Sequence, residues 1–267
     1  MIGLISLLKE VVGNPKAVIL AGAPGAGKSS IVGDIISDLG LKVMNIDDYF
    51  IKDLEKAGVS LDLKKAGPED RSAAAKAMQS ASKDYQADLA KEIESKGNIV
   101  IDGTAASYKK TEELKNTLEN AGYDVLMVYV YSSLEKSLSK NEDRFERSGG
   151  KDRSLMPQIV MQTWSNVTKN FIPYLNLFGS NFVATTKDEG LVDAKSLEDI
   201  IKTYLKPYTP KDTKPKTPAQ EKSAEKQRQQ TEKDIKDLMS KEKVEQHLQH
   251  IVSPEEAQSK LKQFLQS

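Results

Sequence analysis

Eight consecutive residues, Gly22-Ala23-Pro24-Gly25-Ala26-Gly27-Lys28-Ser29, constrain this chain more than any other stretch, because they fit G-x-x-x-x-G-K-[ST] at every fixed position. Just before them, Ala17-Val18-Ile19-Leu20-Ala21 is a short apolar run of the kind that forms a strand buried on both faces. Just after them, Ile31, Val32, Ile35, Ile36 and Leu39 share one helical face, and Gly40 supplies a stop. Strand, loop and helix in that order build an anion site: glycines let the backbone wrap closely, amide N–H groups converge, and the helix N-terminus adds partial positive charge. The expected phosphate-binding residues are Gly22, Ala23, Pro24, Gly25, Ala26, Gly27, Lys28, Ser29 and Ser30. Lys28 would reach the β- and γ-phosphates, and the Ser29 hydroxyl would ligate Mg²⁺. The alternative is a glycine-rich turn that merely joins strand to helix. At average residue usage the fixed positions coincide by chance in roughly one chain in a hundred of this length, so nucleotide triphosphate binding is the expectation.

Composition narrows the chemistry. The 267 residues suffice for one α/β domain with an appendage. Without cysteine, disulfides, thiolate metal sites and cysteine nucleophiles are excluded, and the two histidines, His247 and His250, lie far from the loop, so any metal is expected on oxygen ligands. Lys+Arg and Asp+Glu both number 39, and this zero net charge gives no sign of bulk nucleic-acid binding. No apolar run reaches membrane-spanning length, and the first residues lack the basic start of a secretory signal, so a soluble cytoplasmic protein without membrane contact is expected. Leu4, Leu7, Leu8 and Val11 have the spacing of a short helix beside the first strand.

Further along, Leu41 to Ile46 reads as a second strand that runs into Asp47 and Asp48. In an open parallel sheet the carboxyl ends of the strands form the ligand edge, which puts both carboxylates beside the phosphate loop; a helix cap and a solvated acid are the alternative. Asn98 to Thr104 reads as a third strand ending in Asp102. Glu69–Lys96 and Tyr108–Asn120 read as helices, Asp124–Tyr131 as a fourth strand, Ile159–Phe178 as one long apolar helix, Asn181–Thr185 as a fifth strand and Ser196–Leu205 as a closing helix. The alternation predicts an α/β fold with a five-stranded, mostly parallel sheet flanked by helices. The segment between Phe50 and Pro68, broken by Gly58 and Gly67, is a candidate substrate-facing insertion.

Arginine is scarce, yet Arg144, Arg147 and Arg153 cluster around Gly149-Gly150. Guanidinium forks suit phosphate oxygens, so a mobile segment that closes over the nucleotide is expected here; a solvated helix pairing its own charges is the alternative for Arg144. From Pro207 to Pro218 the chain turns Pro-, Lys- and Thr-rich, which divides it into a domain over 1–205, a linker over 206–218 and an extended helical tail over 219–267. Because Ala219–Lys243 is polar nearly all round, the tail is expected outside the core, as a place for a protein partner or self-association.

The phosphate loop, Asn45-Ile46-Asp47-Asp48-Tyr49, Ile101-Asp102-Gly103-Thr104, and Arg147 with Gly149-Gly150-Lys151-Asp152-Arg153 and Pro157 together resemble the zeta-toxin-like group of P-loop kinases, close to the kinase domain of polynucleotide 5′-kinases. The likeness runs from about residue 15 to 205 and does not extend to the tail. It implies a P-loop kinase fold, ATP or GTP with Mg²⁺, and transfer of the γ-phosphate to a hydroxyl. It implies Asp47 as the base that accepts the hydroxyl proton, with Asp48 in reserve, and Lys28, Arg147 and Arg153 as the cations at the transferring group. Asp102 corresponds to the acid facing substrate or metal, and Arg144 lies on the substrate side. The acceptor stays open among a UDP-linked amino sugar, a nucleic-acid 5′-hydroxyl and a hydroxyl on a modified base. The rival is a nucleotide-dependent switch or assembly ATPase that acts through its tail.

Overall fold

The structure, a computed structural model, describes residues 14–39, 41–142, 144–187 and 218–267. The expected N-terminal helix and the closing helix Ser196–Leu205 lie outside the described residues. So does the linker up to residue 217.

Six strands form one sheet in the order β2-β3-β1-β4-β5-β6, and every neighbouring pair is parallel. They are β1 (Lys16–Ala21), β2 (Lys42–Asn45), β3 (Ile99–Asp102), β4 (Asp124–Tyr131), β5 (Phe182–Thr186) and β6 (Ile251–Val252). The central strands are apolar without interruption because both faces are covered. Along β4, Leu126, Val128 and Val130 join one core, while Val125, Met127, Tyr129 and Tyr131 join the other. Helices α1 (Lys28–Asp38), α2 (Ile46–Lys56) and α3 (Pro68–Ser95) follow β1 and β2, and α4 (Tyr108–Asn120) follows β3. After β4 come α5 (Leu134–Glu142), the one-turn α6 (Arg144–Arg147), α7 (Pro157–Lys169) and α8 (Phe171–Phe178).

Two local expectations change. The long helix over 159–178 is two helices that meet at Asn170. Pro173 explains the break, since it has no N–H to donate back to the carbonyl of Lys169 and its ring crowds that carbonyl. The second strand stops at Asn45, whose side chain caps α2 by accepting from the Asp47 amide at 2.9 Å. Asp47 and Asp48 therefore occupy the first turn of a helix, where negative charge meets the positive end of its dipole.

The larger correction concerns the tail. The sheet has six strands rather than five, because β6 pairs with β5 and the Thr185 hydroxyl donates to the Val252 carbonyl at 2.9 Å. Helix α9 (Pro218–Leu238) is polar on most of its surface but buries Ile235 and Leu238 against Val160, Met161 and Trp164 of α7. After α10 (Lys241–Leu248), α11 (Pro254–Gln266) buries Ala257 and Leu261 against β5, β4 and α1. Gln258 also donates to the Ile31 carbonyl at 2.7 Å. Few apolar residues suffice because each is fully used, which a polar average along the sequence conceals.

Candidate active site

The chain leaves the carboxyl end of β1 directly into the phosphate loop, and β1 lies between β3 and β4, where the order of connection reverses. Gly22 has a φ of +150°, and a Cβ there would lie 2.6 Å from the Val130 carbonyl oxygen, so only glycine fits. At Gly27 φ is +89°, and the Lys140 ammonium lies 3.7 Å from where a Cβ would sit. The loop is tied to β3's exit by the Gly22 amide donating to Thr104 at 3.2 Å. Lys28 turns its ammonium back to the carbonyl oxygens of Gly22 (3.0 Å) and Ala23 (3.5 Å). Burial lowers its pKa, while the Asp102 and Asp47 carboxylates partly offset that shift.

A cavity of about 780 Å³ opens over the loop. Pro24, Gly25, Gly27, Lys28 and Ser29 line it, while Gly22, Ala23 and Ala26 shape the loop from behind. Ser30 is not among the lining residues; its hydroxyl donates to the Gly27 carbonyl at 2.8 Å. Asp47 and Asp102 line the cavity and exposed Asp48 does not. Successive helical residues point about 100° apart, so α2's first turn separates the two neighbours. Asp102 has its pKa raised, by burial first, against the pull of Lys28. Asn45 donates to the Asp102 carboxylate at 3.3 Å while it caps α2, and so couples the two acid-bearing strand ends. The Asp48 pKa is also raised, by partial loss of hydration on the side facing the protein and then by the Asp47 and Asp152 carboxylates, although the residue as a whole is exposed.

Arg144, Arg147 and Arg153 all reach the same cavity, but they are held differently. Exposed Arg147 donates to the Lys140 carbonyl, and half-buried Arg144 pairs with Asp152 at 2.5 Å. Arg153 is buried; its guanidinium meets the Asp47 carboxylate at 2.5 Å and lies 5.4 Å from the centre of the Phe50 ring. Two lining cations escaped sequence reasoning, Lys140 on α5 and Arg71 in the first turn of α3. Each belongs to a charged or alanine-rich helix that reads as solvated, and no local signal marks either. Arg71 donates to the Ala66 carbonyl at 2.9 Å. Thus four of the chain's five arginines line one cavity. Among the described residues, six cations and two carboxylates face it in a chain of zero net charge.

The family model for Zeta toxin matches residues 6–173, more than half of the chain. The chain belongs to the zeta toxin family. No curated protein sequence matches this zeta toxin family member. Among solved structures it is similar to the AvrRxo1-ORF1:-ORF2 structure with ATP, at 14% identity and a TM-score of 0.51 over 86% of this chain and 78% of that one. It is also similar to the PezAT toxin-antitoxin system of Streptococcus pneumoniae, at 15% identity and a TM-score of 0.46 over 89% and 95% of the two chains. A third is the Pnkp1/Rnl/Hen1 RNA repair complex, at 18% identity and a TM-score of 0.46 over 62% and 48%. The α/β architecture with a parallel sheet flanked by helices is shared with the AvrRxo1-ORF1:-ORF2 structure.

Proposed function

We propose that this zeta toxin family member is an ATP-dependent kinase that transfers the γ-phosphate to a hydroxyl of a nucleotide-like acceptor. The observation that carries the reading is one cavity that brings together the phosphate loop with Lys28, the Asp47 carboxylate and Arg144, Arg147 and Arg153. In the transfer, the acceptor oxygen forms a bond to the γ-phosphorus as the bond to the β–γ bridging oxygen breaks, leaving ADP. Asp47 accepts the hydroxyl proton, while Lys28, Arg147 and Arg153 balance charge on the phosphate oxygens and Arg144 stands on the substrate side.

The residues present fit a triphosphate with Mg²⁺. A loop too crowded for a Cβ at Gly22 and a strongly cationic cavity suit phosphates, and Ser29 with Asp102 offers the oxygen donors that Mg²⁺ takes beside them. When bound, the ion neutralises charge on the phosphates. The similar AvrRxo1-ORF1:-ORF2 structure, determined with ATP, supports ATP as the donor.

At the acceptor end, Phe50, Leu63, Ala74 and Met78 form an apolar wall and Arg71 adds a guanidinium. An acceptor with a flat apolar body and an anionic group suits this wall, which supports a nucleotide-like molecule. The test is a screen with γ-labelled ATP against sugar nucleotides, nucleosides and oligonucleotides. Label in an acceptor is the expected result; label only in free phosphate would replace the kinase with a nucleotide-dependent ATPase.

A further inference from the structure

Arg153 belongs to a short extended segment whose neighbours are gripped by parts of the chain far away in sequence. Residues Asp62 and Ser154 form an isolated parallel β-bridge. The Ser154 amide donates to the Leu61 carbonyl at 3.1 Å, and its hydroxyl donates to the Asp62 carboxylate at 2.7 Å. One residue further, the Leu155 amide donates to Asn141 Oδ1 at 2.9 Å, and Asn141 Nδ2 donates back to the Leu155 carbonyl at 2.8 Å. All three polar partners are buried: Ser154 at 0%, Asn141 at 2% and Asp62 at 6% exposure. Side chains alternate along such a segment, so Arg153 and Leu155 line the cavity while Ser154 turns to Asp62.

We infer that Asp62 and Ser154 are positioning residues, which set the place of the Arg153 guanidinium at the reacting phosphate by tying its backbone to the loop between α2 and α3. The inference rests on the kinase reading. The loop that carries Asp62 also supplies Leu63 and Ala66 to the acceptor wall, so one bridge joins the acceptor side of the cavity to the arginine segment. The bridge has no direct contact with the reacting atoms; it acts through Arg153. Asp62 keeps its charge there. Burial alone would raise its pKa, but the Ser154 hydroxyl and the Lys65 ammonium at 3.0 Å hold it below the usual carboxylate range. An ionised Asp62 is an acceptor only, which fixes the direction of the Ser154 hydroxyl hydrogen.

The test measures γ-phosphate release from ATP, to acceptor or water, by the full chain carrying Ser154→Ala, Arg153→Ala or both, with cooperative melting as the fold control. Ser154→Ala should lower kcat by about 10- to 10²-fold, the scale of a small misplacement, and leave KM for ATP within about twofold. In the Arg153→Ala background the same change should cost nothing further, because the residue it positions is gone. Asp62→Asn keeps an oxygen acceptor for the hydroxyl and should recover most of the activity that Asp62→Ala loses. If the wild type is active and Ser154→Ala matches it, or costs the same factor with and without Arg153, the positioning role is overturned, while the kinase reading is decided separately by whether the wild type labels an acceptor. A wild type that neither transfers nor hydrolyses the γ-phosphate overturns both.

Discussion

The phosphate loop and the C-terminal tail stand at opposite ends of the chain, and their residues are chosen for opposite reasons. In the loop each fixed residue answers a local demand: Gly22 cannot carry a Cβ beside Val130, and Lys28 must end among the loop carbonyls. In the tail nothing local distinguishes Ile235, Leu238, Ala257 or Leu261; their meaning comes from the surfaces they meet on α7, β5, β4 and α1. Local demands leave a mark in a single sequence, and placement does not. The two regions should therefore fail differently when altered, the loop in chemistry and the tail in stability.

The largest expected effect is on the tail side. Removing residues 218–267 takes away β6 and exposes the surfaces now covered by Ile235, Leu238 and Leu261. At about 1.5–3 kcal/mol for each large buried side chain, this loss is comparable with the whole stability of a domain. The truncated chain should be insoluble or lack a cooperative melt in calorimetry; a sharp transition near that of the full chain would return the tail to an appendage.

Next comes Lys28→Ala, whose signature should be the reverse. Turnover should fall by at least ~10²-fold if the charge serves the transition state as proposed. The melting temperature should hardly move, since Lys28 is only half-buried and anchors no apolar cluster. A variant that melts early and retains its turnover would erase the distinction between the two regions.

A smaller effect reads the tail through pH. His247 on α10 is 3% exposed and packs on Phe171, with ring centres 4.8 Å apart. Burial, with Lys243 and His250 nearby, pushes its pKa down from 6.5 to about 4. A depressed folded pKa means stability that is present above the unfolded value and lost as pH falls toward the folded one. Between pH 6.5 and about 4 the fold should lose on the order of 1–3 kcal/mol from this group. Thermal melts in that window should show the loss in the wild type and less of it in His247→Gln. Equal slopes for both would show that the imidazole is not what couples the tail to pH.

The same contrast explains what could be read without coordinates. Helix Tyr108–Asn120 and strand Asp124–Tyr131 stand where periodicity and apolar runs put them, because their patterns are set by faces already present in the local sequence. Asp47 and Asp102 were legible as carboxylates at strand ends, and both line the cavity. The helix that begins at Ile46 was not, since it depends on Asn45 as a cap inside a run that looks extended. Arg71, Lys140, Asp62 and Ser154 were invisible for a different reason: each acts across a distance in sequence, 92 residues for the last pair, that no local pattern spans. The split of 159–178 could have been read from Pro173.

The central claim, phosphoryl transfer to a hydroxyl with Asp47 as the base, is tested most directly by comparing Asp47→Asn with Asp48→Asn in the labelled-ATP transfer assay. Asp47→Asn should lose transfer by about 10² to 10⁴-fold, the range for a positioned general base, and still bind ATP with Mg²⁺ nearly as the wild type does. Asp48→Asn, altering an exposed residue outside the cavity lining, should cost less than about tenfold. The reverse order would move the base to Asp48, and small equal losses in both would contradict the account.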